Sequence, residues 1–211
     1  STGFDTSSGW MYWNPDDPNT PPSSSVATYW SMDGSPSYVS GGASYSGGTS
    51  LNYNNGYSYD GDSVGVAISP KIDLGTLINP VLFFRCNYET ETEGTDYDQR
   101  HLGVGYLDSS TLSPVYFVNE QLSTNPGNFA LGSCASMGQW HHHYVWLDSS
   151  WGEVRVAFGF DSVDSFSNDF AGWFVDDLNI VEASDLPTLT AGGSVGGSSN
   201  NGNNNNTTKA R

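Results

Sequence analysis

Positive charge is what this chain has least of. Its 211 residues include 6 lysines and arginines against 23 aspartates and glutamates, for a net charge of −17. Nucleic acid is therefore excluded as a partner, because no basic footprint exists to neutralise phosphates. Anionic membrane surfaces are disfavoured for the same reason. No apolar run approaches the roughly 20 residues of a membrane-spanning helix, so membrane insertion is not expected. The helix formers Lys, Glu, Ala and Leu are scarce, and no useful stretch repeats its apolar residues with a helical period. Only two cysteines occur, Cys86 and Cys134, without CxxC spacing or neighbouring histidines, which argues against structural zinc. They form either a single disulfide in an oxidising compartment or two buried thiols. No signal peptide is present, and the abrupt start at Ser1-Thr2-Gly3 suggests a mature or excised piece of an exported protein.

Gly, Ser, Asn, Thr, Tyr and Trp fill the space those absences leave, and this composition belongs to a secreted or cell-surface all-β protein. Short alternating or apolar runs bounded by turn residues predict strands over Ser50–Tyr53, Val64–Ser69, Val81–Tyr88, His101–Leu107, Val115–Val118, His142–Asp148, Glu153–Asp161 and Gly172–Val181. Eight or more such strands predict a two-sheet antiparallel β-sandwich of the jelly-roll kind. Asn14–Pro22 is too rich in proline for a paired strand and predicts a surface loop. The domain is expected over residues 1–187. Residues 188–211, rich in Gly, Ser and Asn, read as a flexible linker or tail. The terminal Arg211 suits trypsin-like processing, though chance or design explains it equally well.

The segment Gly172–Val181 puts a charge among apolar residues. Strand side chains alternate between faces, and Asp176 shares parity with Phe174, Leu178 and Ile180. If that parity faces the core, Asp176 is a buried carboxylate needing a hydrogen-bond cluster, an arginine or a metal. With so few basic residues, calcium leads; backbone N–H donors at a strand end are the simpler alternative. Asp164, in the oxygen-rich loop 161–169, is a further candidate ligand, although that loop lacks the glycine and glutamate of an EF-hand. The acidic run Glu89–Asp98 predicts an exposed, solvated loop. His141, His142 and His143 lack a carboxylate or thiol at ligand spacing and predict partly exposed strand residues. Ten tryptophans and tyrosines crowd the first sixty residues, most expected in the core, with two or three exposed and available for binding.

Several of these segments together resemble the MAM-like jelly-roll modules, especially those of secreted bacterial proteins such as the C-terminal regions of immune inhibitor A-type metalloproteases. The resemblance lies in Phe4-Asp5 with Gly9-Trp10 and Trp30, in Gly48–Leu51 with Ile68–Leu74, and in Trp140, Val145–Asp148, Val154–Phe160, Asp161–Asp164 and the Gly172–Asp177 ending. It implies a jelly-roll accessory module of a larger multidomain exported protein, with calcium between first and last strands held by Asp5 and Asp176. Animal MAM modules usually carry four cysteines, so their bridges do not transfer. No His-Glu-x-x-His protease signature occurs.

Catalysis is not expected. Glu120 and Glu153 have no paired carboxylate in sequence, and no Gly-x-Ser-x-Gly elbow appears. The expected function is a non-catalytic, calcium-stabilised module binding an extracellular glycan or protein. The alternatives are a structural or adhesive spacer and, further off, a jelly-roll glycan hydrolase.

Overall fold

The computed structural model describes residues 8–17, 19–92, 96–122, 137–186 and 196–198. Twelve strands among them form two sheets, with two single 3-10 turns at Ser149–Trp151 and Ala183–Asp185. One sheet orders β1 (Met11–Trp13), β4 (Val64–Ile68), β10 (Glu153–Asp161), β7 (Gln99–Leu107) and β8 (Pro114–Gln121), and β5 (Ile72–Asp73) joins β10 at its start. The other orders β12 (Gly196–Ser198), β9 (His141–Trp146), β6 (Pro80–Glu89), β11 (Gly172–Glu182), β3 (Ser50–Tyr53) and β2 (Trp30–Asp33). All ladders are antiparallel except β12 on β9. The all-β sandwich that composition predicts is thus the fold. Among the described residues no helix is long and apolar enough to cross a membrane.

The core between the sheets is largely aromatic. Trp173 meets Trp30 and Phe158 edge-on at 5.6 and 5.5 Å, while Tyr53 stacks on Phe160 at 4.5 Å. Such ring pairs add about 0.5–1.5 kcal/mol each beyond their buried area. Trp10, Trp30, Tyr53 and Tyr59 are core residues, whereas Tyr38, Tyr45 and Tyr57 are exposed. The strands that sequence leaves out, β1, β2, β5 and β12, have two to four residues each, too few to display a period, and β12 lies within the stretch read as a linker or tail.

β11 departs from simple alternation. Asp176 pairs with Arg85 and Asn179 with Phe83, so Asp177 and Leu178 together oppose Phe84. Asp177 takes φ +50°, and this bulge resets the strand's phase. Trp173 and Val175 point inward before it, Leu178 and Ile180 after it. The expected shared face of Phe174, Asp176, Leu178 and Ile180 therefore does not form. Phe174 and Asp176 lie on the outer side of the sheet, beneath the connection between β2 and β3. There Phe174 packs with Val39, Ala43 and Ala171 in a second apolar cluster.

Candidate functional site

The outer face of the β1-β4-β10-β7-β8 sheet carries a trough of about 280 Å³. Its floor is made from small residues on adjacent strands, Gly103 of β7 with Ala157 and Gly159 of β10. Tyr116 of β8 forms one wall, and its ring lies against the Gly103 backbone. A Cβ added at Gly103 would stand 2.3 Å from Tyr116 Cε1 and 2.6 Å from Cδ1. That is well inside van der Waals contact, so only glycine gives this ring its seat. Gly105 serves the same edge, where the β7–β8 register shifts and an added Cβ would meet the Val115 carbonyl oxygen at 1.9 Å.

Tyr116 keeps 37% of its surface exposed, while burial pushes its hydroxyl up to about 12. Polar groups rim the trough. His101, whose pKa burial lowers, has Nε2 3.2 Å from Gln99 Oε1. Asn119 is exposed, and Asp161 accepts the Val163 amide at 2.8 Å. Pro15 closes the far wall. An aromatic ring beside a flat, small-residue floor with a few hydrogen-bonding groups suits a ligand with both apolar faces and hydroxyls. Sequence reasoning missed this site. Its available signal was glycine alternating through β7, at positions where a strand ordinarily carries bulk.

Asp176 is buried, at 6% exposure, but its partners are donors. Oδ2 accepts the Tyr45 and Ser46 amides at 2.8 and 2.9 Å, and Oδ1 accepts the Asp177 amide at 2.7 Å. Burial raises its pKa against the pull of these amides. The same connection is held by Ser46 Oγ donating to Asp177 at 2.7 Å and by Arg85, which bonds Asp177 at 2.9 Å with its guanidinium 3.5 Å from the Tyr45 ring centre. Asp176 and its neighbours thus strap the β2–β3 connection onto the sheet.

The other expected site residues disperse. Asp164 accepts the Phe166 amide at 2.8 Å and, through its carbonyl, the Asp62 amide at 2.8 Å, partners it does not share with Asp176. Asp5 and Cys134 lie outside the described residues. Cys86 is fully buried on β6, its Sγ 3.3 Å from His143 Nε2. His143 is not partly exposed as sequence suggests. It faces the core at 3% exposure, stacked on Phe84 at 4.6 Å, and burial pulls its pKa down to about 3. His142 faces outward against Arg85. Among the described residues no group of three or more His, Cys, Asp or Glu side chains is arranged to hold a metal.

No protein-family model matches the chain, and no curated protein matches it. Solved structures do. TmCBM61 in complex with β-1,4-galactotriose aligns with a TM-score of 0.50 at 11% identity, over 85% of this chain and 94% of that one. The likeness is one of fold. The K1 cleaved adhesin domain of Lys-gingipain from Porphyromonas gingivalis W83 aligns at 0.46 and 13% identity, over 83% and 91%. A xylan-binding domain from CBM 22 aligns at 0.43 and 13%, over 86% and 91%. None of these identities carries a residue-level correspondence.

Proposed function

We propose that this chain is a non-catalytic module of a secreted or surface protein that binds a neutral glycan in the trough beside Tyr116. The observation that carries it is the Tyr116 ring seated on Gly103, with hydrogen-bonding side chains around a flat floor. Sugar rings offer C–H faces to such aromatics and hydroxyls to the rim. The net charge of −17 disfavours acidic glycans. Support also comes from the fold, which is that of sandwiches whose names include galactotriose and xylan binding. Among the described residues lining the trough Asp161 is the only carboxylate, whereas glycoside hydrolysis ordinarily takes two. Affinity electrophoresis through gels containing neutral polysaccharides tests the proposal. Retardation on at least one glycan, weakened about tenfold or more by Tyr116→Ala, is expected. Failure of every glycan to retard the wild type overturns it.

The finer kinship, a MAM-like accessory module of a multidomain exported protein, belongs to the same proposal and rests on the segments that resemble that family. So does calcium between Asp176 and Asp5. In its support, Asp176 is buried and its Oδ1 accepts one described hydrogen bond, which leaves a lone pair for a cation. The remaining ligands would be Asp5 and backbone carbonyls. Calcium should raise the melting temperature of the wild type further than that of Asp5→Asn; an equal rise in both refutes this ligand pair.

A protein-binding reading is favoured by a second feature. Ile78, Trp146, Phe117 and Trp151 line an open groove of about 470 Å³ where the two sheets meet, with Ile78 82% exposed and Trp146 53% exposed. A glycan-binding defect in Tyr116→Ala, with adhesion retained, would assign adhesion to this other surface.

A further inference from the structure

Among the described residues of the acidic run between β6 and β7, Asp96 is exposed as its composition predicts, but Asp98 is not. Asp98, its last residue, has no exposed surface. One of its oxygens is fully engaged, since Oδ2 accepts both the Tyr59 hydroxyl and the Glu91 amide, the latter at 2.6 Å. The other is not. Asp98 Oδ1 is buried without a hydrogen-bond partner, and so is Glu91 Oε2. Thus two residues joined through the Glu91 amide each bury an acceptor oxygen that nothing donates to. A buried carboxylate oxygen left in this state costs more than an unmade neutral bond, and a bound cation is one way to relieve it.

Arg100 does not perform that service for Asp98. Its guanidinium sits 3.6 Å from the Tyr88 ring centre. Two carboxylates and one guanidinium leave the pocket anionic, inside a chain whose field already gathers cations.

We infer that Asp98 and Glu91 are the side-chain ligands of a calcium ion that pins the β6–β7 connection to Tyr59. Calcium suits the place better than magnesium, because its shell of six to eight oxygens tolerates irregular geometry and takes carbonyls and water for the rest. The site is separate from that proposed at Asp5 and Asp176 and does not depend on glycan binding.

The test uses the full chain carrying Asp176→Asn, which removes the other proposed site. Calorimetric titration of the chelator-treated protein should show one calcium per chain. Adding Glu91→Gln should weaken it about tenfold or more, and Asp98→Asn should abolish it. Terbium in place of calcium should luminesce when the aromatic side chains are excited, and calcium should quench that signal by displacement. If Asp98→Asn fails to fold, Glu91→Gln decides, since it leaves the Tyr59–Asp98 bond intact. Binding unchanged in Glu91→Gln, or no calcium bound in the Asp176→Asn background, overturns the inference.

Discussion

Asp176 and Tyr45 stand 131 positions apart in sequence, yet the carboxylate of one accepts the backbone amide of the other at 2.8 Å. With Ser46 and Asp177 adding two more amides, this residue anchors a connection that covers the outer side of β11 and β3. Replacing Asp176 with Asn substitutes a donor for one acceptor and sets N–H against N–H. The cost should be about 1–3 kcal/mol, read by urea unfolding, because buried amides lose a charged acceptor. An unchanged unfolding midpoint would mean that the strap is held by Arg85 and Tyr45 alone.

Gly103 and Tyr116 should behave as one unit. Gly103→Ala places a methyl where the ring lies, so the ring must swing off the floor. Binding of the retarding glycan should fall in Gly103→Ala about as far as in Tyr116→Ala, and the double variant should be no worse than either. Additive losses would show that the two act independently.

His143 sets an acid limit on stability. Burial holds its folded pKa at about 3, below the ordinary histidine value of 6.5, so between those values the unfolded chain holds more protons than the native one. Stability contributed by neutral His143 is complete above pH 6.5 and is lost as pH falls toward 3. The slope approaches about 1.4 kcal/mol per pH unit at most. His143→Phe keeps a ring on Phe84 and removes the titration, so its unfolding free energy between pH 4 and 6 should vary less than that of the wild type. Identical slopes would move the acid dependence elsewhere.

Cys86 is buried in the core, and we expect it to be bridged to Cys134. Alkylation of the unfolded but unreduced chain followed by mass spectrometry should add no label. Two labelled thiols would refute the bridge.

Much of the sandwich was legible because its long strands advertise themselves. Val154, Val156, Phe158 and Phe160 alternate cleanly with smaller or polar residues, and β10 runs over the residues predicted for it. β11 was found, but its faces were misassigned, since the bulge depends on Asp177 adopting a left-handed conformation that a run of letters does not declare. Asp98 defeated the sequence for another reason. Composition marks it as loop, and only the distant Tyr59, folded against Phe160, gives it a buried place. The trough was illegible because its recognition surface depends on glycines, whose contribution is the space they leave for a neighbour.

The bulge at Asp177 also divides β11 into two reading frames. Upstream, odd-numbered positions belong to the interior and even-numbered ones to the strap; downstream, Leu178 and Ile180 reverse that assignment. A saturation scan should therefore find tolerance to polar residues alternating with opposite phase on either side. Deleting Asp177 would remove the extra residue, join the two halves in a single alternation and leave Leu178 and Ile180 facing the core in their present register, so what it takes away is the left-handed turn and not the placement of the side chains beyond it.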